Sequence, residues 1–69
     1  MYPHRRIDED VYLFMVAKAK KNDTFVWFDE IAREFAGYWR VPELIEAIEV
    51  LDTRGILVQS ESKNRYWLT

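Results

Sequence analysis

Carboxylates recur at every third position in one stretch of this 69-residue chain, at Glu43, Glu46, Glu49 and Asp52. Each three-residue step turns a helical side chain by roughly 300°, so the three steps between the four carboxylates spread them over about half of a helix surface. Paired carboxylates support acid–base catalysis where their pKa values are pushed apart, but an exposed acidic stripe is typical of a solvated helix face. The phosphates of a nucleic-acid groove would repel this stripe.

Other groups suited to catalysis or metal binding are few. The chain has one histidine, His4, and no cysteine, so a transition-metal site of ordinary ligand number would depend on carboxylates. The hydroxyls of Ser60 and Ser62 lie in a predicted turn, where serine is common for conformational reasons. Gly37 and Gly55 are isolated and cannot form a phosphate-cradling loop. We therefore expect a protein that is not an enzyme and that has no metal and no cofactor.

The composition indicates a small acidic domain. Sixty-nine residues, 49% of them hydrophobic, provide the interior of one domain rather than two. The net charge of −2 contrasts with the basic excess that is usual in autonomous nucleic-acid-binding domains. No apolar run reaches the length of a membrane span, and residues 1–6 lack the apolar core of a secretion signal. We expect a soluble cytoplasmic protein without membrane contact.

Capping signals and periodicity predict the elements that position the carboxylates. A flexible polar arm, residues 1–7, precedes a first helix over about residues 9–21, with Asp8 as its N-cap. The aromatic and β-branched residues 24–27 predict a short strand that leads into a second helix over residues 28–36.

The second half of the chain is punctuated by its two glycines and by Pro42. Gly37 and Gly55 are predicted as left-handed caps after the second and third helices, and Pro42 fits the first position of the third helix. Residues 56–59 and 65–68 then read as two antiparallel strands joined by a polar loop.

This order of elements resembles a winged helix-turn-helix domain. Residues 28–35 look like the second helix of that family, and residues 47–57 look like its third helix turning into the wing. The resemblance implies an α+β fold over residues 8–69, with three helices, a short first strand and a C-terminal two-stranded wing. Most members of the superfamily bind DNA, but others are adaptors in transcription, replication and trafficking complexes, so function does not follow from this fold.

Aromatic residues beside the acidic stripe suggest a protein-binding surface. Strand alternation places Trp67 on the face opposite Tyr66, so Trp67 is exposed if Tyr66 packs inward. An alternative is that Trp39 and Trp67 only cover a thin core. We predict a regulatory or adaptor module that binds a basic protein partner in a transcription- or nucleic-acid-related assembly. The predicted contact residues are Tyr38, Trp39, Glu43, Glu46, Glu49 and Trp67.

A DNA-binding transcriptional regulator is the alternative interpretation. An arm in a minor groove and a wing on phosphates can bind double-stranded DNA without a basic helix. The same cations also fit a simpler reading as solvated charges at a terminus and a hairpin tip. The residues predicted for this alternative are Arg5, Arg6, Arg40, Lys63 and Arg65.

The first helix is apolar on all sides, which exceeds what one buried face requires. If Val11 and Met15 face the core, Leu13 and Ala17 lie on the opposite side with Phe14 at their flank. A symmetric homodimer would bury this second side. The competing account is that the N-terminal arm folds back over it through Tyr2 and Ile7.

Overall fold

Three helices and three short strands form an α+β chain in the computed structural model, which describes residues 6–22 and 25–69. In chain order they are α1 (Ile7–Lys20), β1 (Val26–Trp27), α2 (Phe28–Glu34), α3 (Val41–Thr53), β2 (Leu57–Gln59) and β3 (Arg65–Leu68). Within those residues, no helix has the length and apolar character needed to cross a membrane.

The start of α1 differs from the sequence prediction. Arg6 is the N-cap, so the predicted cap at Asp8 is wrong, and Ile7 from the predicted arm is the first helical residue. The physical reason is that the Asp8 carboxylate is held elsewhere: Arg6 donates to it from Nε at 3.2 Å and from Nη2 at 2.9 Å. Arg54, which follows α3, donates to the same carboxylate at 3.4 Å. Asp8 thus fastens the beginning of α1 to the end of α3.

In both α2 and α3, a glutamate in the first turn accepts the backbone N–H of the residue before the helix. The N–H of Trp27 donates to Glu30 at 3.0 Å, and the N–H of Arg40 donates to Glu43 at 2.8 Å. Each bond satisfies the N-cap N–H in the manner of one half of a capping box. Glu43, the first residue of the acidic stripe, is therefore occupied in starting α3.

Positive φ angles occur at both glycines, as the sequence predicted: +88° at Gly37 and +74° at Gly55. After Gly55, the N–H of Ile56 donates to the carbonyl of Leu51 at 2.9 Å and closes the end of α3. α2 ends at Glu34, two residues before the predicted end. The helix ends early because a turn follows it, in which the carbonyl of Phe35 accepts the N–H of both Tyr38 and Trp39.

The sheet is antiparallel with strand order β1-β3-β2, so β3 is central. β3 has the predicted bounds, whereas β2 begins one residue later than predicted and β1 begins at Val26; residue 24 lies outside the described residues. Val26 pairs with Tyr66, and Val58 pairs with Trp67. Since partners directly across a sheet share a face, Val26 and Tyr66 line the buried side while Val58 and Trp67 line the outer side.

The core lies between the inner face of the sheet and the three helices, with α1 packed against α3. Phe35 joins α1 to α2 because its ring meets the edge of Phe14 at a centroid distance of 5.9 Å. Partly buried residues, including Ile7, Trp39 and Leu68, pack against the margin of this core. Its buried apolar members are Val11, Met15, Val26, Ile31, Phe35, Leu44, Ala47, Ile48, Leu51, Leu57 and Tyr66.

An ion pair between α1 and α2 makes stability depend on pH. Lys18 Nζ lies 2.8 Å from Glu30 Oε2, and this hydrogen bond, followed by that from the Trp27 N–H, lowers the pKa of Glu30. Such a carboxylate stabilises the fold above its unfolded pKa, and the contribution is lost as pH falls through the folded pKa. We expect Glu30→Gln to be less stable than the parent at about pH 7 and to differ less from it at about pH 3 in urea unfolding. An equal difference at both pH values would contradict this assignment.

Candidate functional site

A groove of about 470 Å³ lies between α3, the β2–β3 hairpin and the start of α2. Phe28, Ile48 and Tyr66 form apolar parts of its lining. Two further lining residues are large, apolar and open to solvent, since 43% of Trp27 and 48% of Ile45 is exposed. The groove therefore combines a buried apolar base with an exposed apolar margin, which is the usual composition of a binding site.

The hairpin wall of the groove is held in place by hydrogen bonds. The Tyr66 hydroxyl donates to the Lys63 carbonyl at 2.9 Å, where the backbone has a φ of +59°. The Phe28 N–H donates to the Asn64 carbonyl at 2.8 Å and ties the same loop to α2. Ser60 is buried and accepts the N–H of Arg65 at 3.3 Å. The loop serine predicted to be a turn residue is thus part of the support of this wall.

The α3 wall carries the carboxylate of Glu49, and Asp52 follows it on α3 toward the β2–β3 hairpin. Gln59 Nε2 donates to Glu49 at 3.1 Å and to Asp52 at 2.9 Å. Neither carboxylate takes part in an ion pair within residues 6–22 and 25–69. Burial raises the pKa of the Tyr66 hydroxyl, and the negative charge of Glu49 raises it further. The field of Glu49 therefore reaches into the groove.

All four carboxylates of the predicted stripe are exposed, but the structure divides them between two sites. Glu49 lines the groove and Asp52 shares the Gln59 amide with it, whereas Glu43 and Glu46 line a separate cavity of about 270 Å³ at the other side of α3. Arg6 belongs to that second cavity. The stripe is continuous in sequence, while its electrostatic surroundings change along the helix.

The predicted aromatic contact residues are not gathered at one place. Tyr38 is 53% exposed, and Trp39 is half-buried against the core, with no acceptor for its indole N–H among the described residues. Trp67 is 38% exposed, which confirms the predicted exposure. It lies on the outer face of the sheet, opposite to Tyr66, which faces α3 across the groove. The structure therefore separates Trp67 from the α3 surface.

Trp27, Val41 and Ile45 are among the exposed apolar residues that sequence reasoning missed. Val41 and Ile45 stand four residues apart on α3, so they form one exposed apolar ridge beside the acidic stripe. Strand alternation could have revealed Trp27, because its neighbour Val26 is a natural inward-facing residue. We take the exposed face of α3 with the groove as the candidate binding surface.

Of the two arginines of the predicted N-terminal arm, the structure describes only Arg6. Arg5 lies outside the described residues. Arg6 caps α1 and forms a bidentate contact with Asp8, so its guanidinium is already paired with a carboxylate. This ion pair with Asp8 weakens the attraction between Arg6 and a phosphate.

The remaining cations of the DNA-binding alternative are also dispersed. The Arg65 guanidinium lies 5.5 Å from the Phe25 ring centroid and 5.4 Å from that of Trp27, on the outer face of the sheet. Arg40 is exposed at the start of α3, and Lys63 is exposed in the hairpin loop. Only these last two have neither a carboxylate nor an aromatic partner in the described part of the chain.

The proposed dimer face on α1 is partly covered within the chain. Leu13 and Ala17 are exposed, but Phe14 is half-buried between Phe35 and the Lys18 ammonium, which lies 5.8 Å from its ring centroid. The apolar surface left for a second copy is thus smaller than the sequence pattern implied.

Sedimentation equilibrium tests the homodimer through Leu13. A dimer formed by this face should be dissociated by Leu13→Glu, because a carboxylate in an apolar interface loses its hydration. Val41→Glu alters an equally apolar exposed site on α3 and should leave the mass unchanged. A mass near 8.4 kDa for the unmodified protein at all micromolar concentrations would reject the dimer.

Within the described segments, no group of three or more histidine, cysteine, aspartate or glutamate side chains is placed to hold a metal ion. No protein-family model, curated protein or solved structure matches the chain.

Proposed function

We propose that this chain is a winged helix-turn-helix domain that acts as a non-enzymatic regulatory or adaptor module through protein contacts. The proposal places it in a transcription- or nucleic-acid-related assembly. The order α1-β1-α2-α3-β2-β3 supports the winged-helix reading, since α3 precedes a two-stranded wing and β1 pairs with the second wing strand. In that arrangement α3 stands in the place of a DNA-reading helix.

The exposed face of α3 is the observation that carries the proposal. It presents Glu46, Glu49 and Asp52, which have no ion-pair partner among the described residues, next to the apolar ridge of Val41 and Ile45. Carboxylates near phosphates are repelled, and in the major groove an aliphatic ridge can contact only the methyl group of thymine. Both features fit a protein surface that carries positive charge and apolar side chains.

Selection of peptides on the immobilised protein tests this function. From a random display library of segments of about twelve residues, we expect recovery of segments rich in arginine or lysine together with apolar residues. The variant Glu46→Lys/Glu49→Lys should lose these segments, whereas Glu34→Lys, an equally exposed reversal on α2, should retain them. Recovery of segments without basic residues, or equal recovery on all three proteins, would contradict the proposal.

The exposed cations Arg40 and Lys63 favour DNA binding as the second candidate function. Titration with mixed-sequence duplexes at low and moderate salt separates the two functions. Binding that weakens steeply with salt and is lost on Arg40→Gln or Lys63→Gln would replace the protein-binding proposal, because phosphate contacts release counterions. We expect no such salt-dependent binding.

A further inference from the structure

We propose that the groove between α3 and the β2–β3 hairpin receives the cationic end of an arginine or lysine carried by a basic segment of the protein partner. This inference rests on the proposed protein-binding function and assigns it a specific pocket. The shape, the apolar lining and the charge of the groove support it.

The groove has the dimensions and lining for one long side chain. Its volume of about 470 Å³ lies within the range of small-ligand pockets, about 300–1,000 Å³. Ile45 and Trp27 are its exposed apolar members, and Ile48 lies deeper. The methylene stem of an arginine or lysine packs on such a surface while its charged end stays near polar groups.

The charged residues that line the groove carry more negative than positive charge. Glu49 and Asp52 share one neutral donor, the amide nitrogen of Gln59. A carboxylate has four lone-pair sites, so both retain capacity to accept hydrogen bonds from a guanidinium or an ammonium. Asp29 is the other carboxylate of the lining beside Glu49, whereas Asp52 reaches the groove only through its bond with Gln59. An apolar or anionic side chain would leave these charges uncompensated.

Lys63 is the cation that lines this groove in the described part of the chain, and it forms no ion pair with Glu49 there. An incoming cation must therefore approach Lys63 as well as the carboxylates. Removing the charge of Lys63 should strengthen binding of a cationic side chain. In the DNA-binding alternative, removing the charge of Lys63 should instead weaken binding of the DNA, because Lys63 would then hold a phosphate.

A pair of tripeptides provides the direct test. Acetyl-Leu-Arg-Leu-amide is titrated to about 10 mM into the ¹⁵N- and ¹³C-labelled full chain, and the citrulline analogue, which has the same shape and no charge, is titrated in parallel. With the arginine peptide we expect NMR shift changes at the Gln59 side-chain amide, the Trp27 indole N–H and the Ile45 methyl groups. With citrulline these changes should be several times smaller.

Variants in which glutamine replaces one charged residue then locate the site at which the arginine peptide binds. Glu49→Gln should weaken binding of the arginine peptide about two- to fivefold, and Lys63→Gln should strengthen it by a similar factor, since exposed ion pairs contribute modestly. Glu34→Gln should leave it unchanged, and well-dispersed spectra of each variant show that it is folded. Because Gln59 also bonds to Asp52, the glutamine at position 49 does not remove its support.

Each other outcome overturns the inference. Equal shifts with arginine and citrulline, shifts confined to the Glu43–Glu46 cavity, weaker binding by Lys63→Gln, or no shifts at all would exclude a cation in this groove. Self-association during the titration would identify a second copy of the chain as the occupant. If the display selection still returns basic segments in any of these cases, the proposed function stands and only its pocket is rejected.

Discussion

Replacing Phe35 by alanine is expected to lower the free energy of unfolding by about 3–5 kcal/mol, the usual cost of removing a buried aromatic side chain. Phe35 is fully buried, and its ring meets Phe14 edge to face, so its loss opens a cavity between α1 and α2. The main chain of Phe35 also anchors the turn at Tyr38 and Trp39. A 69-residue domain has a total stability of about 3–10 kcal/mol, so the variant should retain only part of it and be largely unfolded where the parent lies at the lower end of that range.

Urea unfolding followed by circular dichroism measures this effect. Phe35→Leu keeps most of the apolar volume and should cost about 1 kcal/mol, within the range of hydrophobic exchanges that conserve volume. Tyr38→Ala, at an exposed aromatic three residues away, is the matched control and should change stability by less than the alanine at position 35. If Phe35→Ala lowered the free energy of unfolding by less than Tyr38→Ala does, Phe35 would not be a central core residue.

Reversal of two charges on α3 is expected to have the largest effect on partner binding. In Glu46→Lys/Glu49→Lys, a basic segment recovered by display should bind about tenfold more weakly or worse, because like charges across an interface cost several kcal/mol. Both side chains are exposed, and neither caps a helix, so the fold should tolerate the change. The loss should lie mainly in the association rate and should diminish at high salt.

Stopped-flow association kinetics at low and high salt measure this prediction. Glu34→Lys changes the net charge by as much as either single reversal on α3 and is the control for each of them, since this exposed glutamate ends α2 and a lysine there suits the helix dipole. Comparison of the single reversals at Glu46 and Glu49 adds a spatial test. If the groove holds the partner's cation, the reversal at Glu49 costs more than that at Glu46, which lies at the cavity on the other side of α3. Equal effects of Glu34→Lys and of both single reversals would show that only the total charge of the protein matters.

Local signals were sufficient for the order of the elements and for several of their boundaries. Gly37 and Gly55 have the predicted positive φ angles because a helix that ends in a left-handed residue has few alternatives to glycine. β3 has the predicted bounds, and Trp67 is exposed as its alternation with Tyr66 required. Each of these features depends on neighbours within a few positions in the chain, which is the range over which periodicity and turn chemistry act.

The errors and omissions have long-range causes. Asp8 looked like an N-cap, but Arg54, 46 residues away, is part of what holds its carboxylate. The groove residues missed by sequence reasoning, Trp27 and Ile45, become neighbours only when β1, α3 and the hairpin assemble. A pattern of hydrophobicity cannot show which of two apolar helix faces will be covered, because coverage depends on the elements that arrive from elsewhere.

The sequence by itself determined the helix and strand order, the acidic stripe and the scarcity of catalytic groups, since these follow from residue types and their local spacing. Only the tertiary structure decided which charged side chains are paired within the chain and which remain available to bind a partner. It pairs Arg6 with Asp8, stacks Arg65 on Phe25 and Trp27, and leaves Glu49 and Asp52 with the neutral amide of Gln59. The physical reason is that electrostatic interactions depend on distances of a few ångströms across the fold, and those distances are set by packing rather than by sequence separation.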